Sequence, residues 1–250
     1  MSIAFQSGSF TKDGVTFGND KFGNLKAVAA AISLDPESTS PVVDEDPVNG
    51  NIREPLLKLI HFMRSLSFKR SPSVKFSHGL FENMNFKIGQ LVFDPPDQFG
   101  FFATDYAPPG LFMATDLVSP EAELLSMSSV VGFNNGINSL VNYGLANADG
   151  GFAPLLSKLP QVGDYYSASA GYLSYPYQTV DGTSVTEKID ELSTLLTAGR
   201  LSSENKQVLV NAHAHFTENH GVEYADRVLV KLIAQTPEFH TSNIGKSSRP

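Results

Sequence analysis

Three of the six histidines fall within eight residues, as His213-X-His215-X4-His220. Imidazole nitrogens suit zinc or copper, so His213, His215 and His220 are the metal candidates. On a helix, however, residues i and i+2 point about 200° apart. His213 and His215 then cannot grip one ion without unwinding the chain, so a solvated helix end is expected and no cofactor. A second set is carboxylates beside aromatic residues: Asp94, Asp97, Asp105, Glu121 and Glu123. Burial against phenylalanine would raise a carboxyl pKa into the range useful for acid–base work. The competing roles are structural, with Asp94 and Asp105 starting turns and Glu121 facing a helix N-terminus. Arg53 and Arg200 can fork onto carboxylates, Glu54 being the neighbour of Arg53, or join Arg64 around an anion. Asn134, Asn135 and Asn138 lie in an apolar stretch, where buried amides need partners. They are expected to form a polar network that positions a Pro-rich loop, with Asn135 also a site candidate. Tyr165, Tyr166, Tyr172, Tyr175 and Tyr177 place five of the eight tyrosines within thirteen residues. A flat apolar ring with a polar tip suits a glycan or peptide surface.

Several chemistries are excluded by what is missing. There is no Gly-rich phosphate loop, no Gly-X-Ser-X-Gly elbow and no His-Glu-X-X-His helix. Without cysteine there is no disulfide framework, thiol nucleophile or thiolate zinc site. The net charge of −8 disfavours sequence-independent attraction to nucleic acid or anionic membranes. A local basic run, from Arg53 to Lys75, follows an acidic one at Asp35–Asp46 and reads as a dipolar surface. No apolar run approaches the roughly 18 residues of a membrane span. The first residues carry no secretory signal.

The elements that must hold these residues are mostly helices, and the fold class expected is mainly α. Asn24 caps a helix with Leu25, Val28, Ala29 and Ile32 on its apolar side. Pro55 opens a second, in which Leu56, Leu59, Ile60, Met63 and Leu66 recur at helical spacing. Further helices are expected from about Ser119 to Met127 and from Val130 to Tyr143. Residues 184–236 read as a three-helix unit. Ser184 and Glu187 form a capping box, Gly199 is a left-handed stop, and Ser202 restarts the chain as a helix with Val208, Leu209, Ala212 and Phe216. A third helix turns Ala225, Val228, Leu229, Leu232 and Ile233 inward. Residues 67–119 are rich in Pro, Gly, Asn and Phe and are expected to be an irregular but buried segment, because Phe76, Phe81, Phe86, Phe93, Phe99, Phe101, Phe102 and Phe112 lie there. Residues 36–50 read as a flexible loop, 160–183 as a Tyr-rich loop or weak hairpin, and the chain of 250 residues as a single domain.

The run Gly89-Gln90, Pro95-Pro96-Asp97-Gln98-Phe99-Gly100-Phe101-Phe102 and Asp105-Tyr106-Ala107-Pro108-Pro109-Gly110 resembles a hallmark of the family known as domain of unknown function 1800. Leu117-Val118-Ser119-Pro120-Glu121 is similar to that family's next block. Leu195-Leu196-Thr197-Ala198-Gly199-Arg200-Leu201-Ser202 and Pro237-Glu238-Phe239 resemble its closing ones, and Lys21–Leu25 and Arg53–Lys58 its earlier ones. Asp97-Gln98 and Asn24 depart from the common residues. The resemblance spans about residues 4–243 and brings no established catalytic residues. It implies that the chain is the C-terminal portion of a longer domain, with Met1 an internal methionine or a shortened start. It also implies export of the full-length form and a sulfatase-like family protein as a possible partner.

Two functions are compatible with these residues. One is a non-catalytic helical scaffold that binds a partner protein or polymer, at the cell surface or in an exported compartment, through Tyr165–Tyr177. The alternative is a hydrolase-like or carbohydrate-active enzyme in which Asp105, Glu121, Asn135 and Arg53 converge, its site completed by a missing N-terminal half.

Overall fold

The computed structural model describes residues 1–40, 50–72, 84–153, 169–174 and 183–242. The chain divides into two units, Met1–Gly50 and Asn51–Pro250, where the sequence predicts one domain. In the first unit α1 (Ser2–Ser7) leads into an antiparallel hairpin of β1 (Ser9–Lys12) and β2 (Val15–Gly18). The register runs from Ser9↔Gly18 to Lys12↔Val15. Asp13 and Gly14 both take positive φ, 50° and 78°, which is the backbone a two-residue hairpin turn requires. Next comes α2 (Leu25–Ser33), whose first turn is capped as expected, Asn24 Oδ1 accepting the Ala27 N–H at 3.1 Å. Its buried side differs from expectation. Ala27 and Ala31 face Ala4 and Phe10, while Leu25 and Ile32 are exposed. Methyl side chains four residues apart let this helix approach its neighbours closely, which leucine at the same contact would prevent. One helical turn, α3 (Pro36–Thr39), stands at the start of the stretch 36–50, of which 41–49 lie outside the described residues.

In the second unit α4 (Pro55–Ser65) carries proline in its first turn and buries Lys58, Leu59 and Phe62, followed by Leu66. Ile60, expected inside, is exposed. Two residues of β3 (Lys69–Arg70) pair antiparallel with β4 (Gly171–Tyr172). The Pro- and Phe-rich segment contains α5 (Met84–Ile88) and α6 (Leu111–Ala114). Its expected burial is overturned for four of the described phenylalanines, Phe86 being 81%, Phe93 98%, Phe99 84% and Phe112 43% exposed, while Phe101 and Phe102 are half-buried. On α5 only Met84 and Ile88, four residues apart, share the inward face, and Phe86 projects from the other side. Phe93 has φ 62° and nothing to pack on. Phe76 and Phe81 lie outside the described residues.

Instead of a helix from Ser119 to Met127, the chain makes a 3-10 turn at Pro120–Leu124 and then α7 (Met127–Tyr143). Ser126 caps α7 by accepting the Ser129 N–H, and Gly144 ends it. Gly136 is buried against the Phe152 ring, where any Cβ would collide. The C-terminal helices are α8 (Val185–Thr197), α9 (Ser203–His220) and α10 (Val222–Ile233). The Ser184–Glu187 capping box is formed, and hydrogen bonds from the Ser184 N–H and hydroxyl hold the Glu187 carboxyl below its ordinary pKa. Ala198 and Gly199 both turn left-handed to stop α8. Ala225, Val228, Leu229 and Ile233 face inward on α10, whereas Val208 on α9 is exposed. A last turn, α11 (Pro237–His240), inserts Phe239. The core joins Phe62, Met84, Ile88, Phe133, Ile137, Phe152, Ile189, Leu196, Leu229 and Phe239, each such side chain contributing roughly 1.5–3 kcal/mol by leaving water. The architecture is mainly α, with two small two-stranded sheets among the described residues.

Candidate functional site

The loop from Pro96 to Asp105, together with Glu123, encloses a cleft of about 450 Å³. Its shape is built locally. Asp97 Oδ1 accepts the Phe99 N–H at 2.6 Å, and Asp97 and Gly100 face each other across a tight reversal with Gly100 at φ 124°. Two bonds then tie the loop to the 3-10 turn. The Ala103 N–H donates to Glu123 Oε2 at 2.7 Å, and the Ser119 N–H donates to the Tyr106 carbonyl at 2.8 Å. Asp97 and Glu123 thus support the loop, while no hydrogen bond from the described residues reaches the exposed Asp105 carboxylate. Phe99 is mostly exposed, and Phe101 and Phe102 are half-buried. The lining contains three carboxylates, three phenyl rings and no cationic side chain. Such a cleft can stack an apolar ring face and accept hydrogen bonds from hydroxyl or ammonium groups.

A second polar cluster lies where α4 meets α11. Lys58, 2% exposed, donates to His240 Nδ1 at 2.9 Å and sits 5.0 Å from the Phe133 ring centre. Arg53 stacks on Phe239 and donates to the Phe239 carbonyl at 2.9 Å and to His61 Nδ1 at 2.6 Å. His61 in turn donates from Nε2 to the Leu195 carbonyl. Arg200 donates to the carbonyls of Glu238 and Thr241. Burial first, and then neighbouring positive charge, lowers the pKa of four of these groups: Arg53, facing Arg200; Lys58, to about 8, facing Arg53; His61, facing Arg53; and His240, to about 4, facing Lys58. Burial pulls the Glu238 carboxyl up, but its own N–H, Ser202 and Asn205 outweigh that and hold it low. Arg53 therefore pairs with carbonyls and a histidine, not with Glu54, whose carboxylate takes the Gln90 amide. Lys58 carried a legible signal, since it shares one i, i+4, i+8 stripe with the buried Phe62 and Leu66.

The remaining candidates are scattered. Glu121 is half-buried in the first turn of Pro120–Leu124 and does not line the cleft that Asp105 lines. Asn135 is exposed on α7. Asn138 accepts from Asn142 and from Lys231 of α10, so the expected network ties two helices rather than a loop. Among the described residues no hydrogen bond or ion pair joins Asp105, Glu121, Asn135 and Arg53, and of the four only Asp105 lines the cleft. His213 donates from Nε2 to Asp226 Oδ1 at 2.9 Å, and Lys188 holds both oxygens of the same carboxylate. His215 and His220 lie on the outer side, against Phe216 and Tyr224. Among the described residues no group of three or more His, Asp or Glu is placed to hold a metal ion. Tyr172 is half-exposed on β4, while Tyr165, Tyr166, Tyr175 and Tyr177 lie outside the described residues. Among the described residues no helix is long and apolar enough to cross a membrane.

Residues 12–241 match the family model described as protein of unknown function (DUF1800), and the chain belongs to that family. No curated protein and no solved structure matches it.

Proposed function

We propose that this family member is a non-catalytic binding protein that takes a hydroxyl-rich polymer, a glycan, in the Pro96–Asp105 cleft. The observation that supports this most is the pairing of a mostly exposed phenyl ring, Phe99, with an uncommitted carboxylate, Asp105, in one cleft. Sugar rings present C–H faces to an aromatic ring and hydroxyls to a carboxylate, and the all-acidic lining selects against uronic or phosphorylated polymers. Titrating the chain with neutral, amino-bearing and uronic oligosaccharides, followed by calorimetry, tests this. The neutral or amino-bearing series binds, the uronic series does not, and Phe99→Ala abolishes the heat. Equal binding by wild type and Phe99→Ala, or binding by none of the three series, overturns it.

A second reading, glycoside hydrolysis, is favoured by Asp105 and Glu123 lining the same cleft, because such chemistry uses two carboxyl groups. It ranks second because Glu123 is already holding the Ala103 amide. Release of reducing ends by wild type, lost in Asp105→Asn, would promote it over binding alone.

A further inference from the structure

The second unit is closed by a clasp between its first residues and its last described ones. Ile52 and Thr241 pair antiparallel, the Arg53 N–H donates to the His240 carbonyl at 2.8 Å, and the Ser242 N–H donates to Asn51 at 2.9 Å. Beneath this pairing lies the Lys58–His240 contact. The ammonium can only donate, so His240 must present an unprotonated Nδ1, while the Ala234 backbone works the other way and favours the protonated ring. The charged groups facing it are Lys58 on α4 and Arg53 before it; His61 on α4 joins the cluster through Arg53, and Arg200, between α8 and α9, through the Thr241 carbonyl. From α11 itself Glu238 is turned toward Ser202 and Asn205, and α7 contributes the uncharged Phe133. Among the described residues no carboxylate pairs with Lys58, Arg53 or His240.

We propose that the clasp is an acid-released latch: protonating His240 sets a second cation against the Lys58 ammonium, which no carboxylate among the described residues pairs, and this frees 240–242 from 51–53 and uncovers Phe239. The direction follows from linkage. In the open state His240 titrates near its ordinary 6.5, and in the closed state near 4, so the open state binds more protons between these values and acid favours it. Lys58 stays charged throughout that window, its own value being about 8, and His61, also lowered, acts in the same direction.

Hydrogen exchange of the whole chain, corrected for intrinsic rates, tests the latch at pH 7 and pH 4. Amides of Arg53 and Ser242 should lose protection by roughly a hundredfold, the span of that displacement, while those of α7 hold theirs. His240→Asn keeps an acceptor oxygen near the Nδ1 position and cannot titrate, so its clasp should stay protected at pH 4. Lys58→Met removes the opposing charge but keeps the burial, the larger cause, so it should raise the His240 imidazole resonance midpoint only part of the way from about 4, and an unmoved midpoint overturns the proposal. Clasp amides that remain protected in wild type at pH 4 overturn the proposal. So does equal acid release in wild type and His240→Asn.

Discussion

The basic clasp and the acidic cleft both gather several ionisable groups around phenylalanine, yet they spend them differently. In the clasp every donor is committed: the Arg53 and Arg200 guanidinium groups and the neutral His61 imidazole bind carbonyls at the ends of α8 and α11, and the Lys58 ammonium binds a histidine. Carbonyls at helix ends carry partial negative charge, so they can solvate buried cations without a carboxylate. In the cleft two carboxylates brace the loop, and Asp105 with Phe99 is left over. Groups that stabilise a fold are satisfied within it; groups that meet a ligand wait in solvent. The difference teaches that charge density alone does not mark the site here, whereas unspent bonding capacity does.

The comparison is broken most severely at Phe239, which Arg53, His61, Phe62 and Phe133 all contact. Phe239→Ala should cost about 3–5 kcal/mol of stability in urea unfolding, and a cost below about 1 kcal/mol would place the clasp outside the core. Lys58 gives the next largest effect, through pH. Its folded value of about 8 lies below its ordinary 10.5, so the unfolded chain binds more protons between them and stability rises as pH is raised through that interval. The rise is roughly 3 kcal/mol, and Lys58→Met should remove it from the difference between the two stability–pH curves. Phe99→Ala sharpens the other side. Oligosaccharide affinity should fall at least tenfold, about 1.4 kcal/mol, with unfolding free energy unchanged within about 0.5 kcal/mol, because the ring packs on nothing. Ser202→Ala removes the cap that accepts the Asn205 N–H and should cost about 1 kcal/mol, read in the same urea series.

Caps and helices were legible because their causes are local. Asn24, the Ser184–Glu187 box and Ser202 each act on a backbone group three residues away. The clasp was not, since it joins residues 191 apart in the chain, such as Asn51 and Ser242. Composition also misled where it could not assign a side. Phenylalanines in the Pro-rich segment predict burial, but two turns and a five-residue helix leave Phe86, Phe93 and Phe99 facing water. On α2 the larger apolar residues drew the expected face, and the smaller Ala27 and Ala31 took the contact. For the cleft, Asp97, Asp105 and Glu123 were individually visible as carboxylates near aromatic residues. What no spacing showed is that Glu123 folds back onto Ala103 and shares a lining with Asp105, while Glu121 does not.

The division between committed and uncommitted groups is tested most directly by amide chemical-shift mapping of the intact chain during titration with the best-bound oligosaccharide. Shifts concentrated at Phe99, Gly100, Phe101 and Asp105, with Arg53, His61 and His240 unmoved, are the predicted result. A titration that moves the clasp residues and leaves the cleft silent contradicts it.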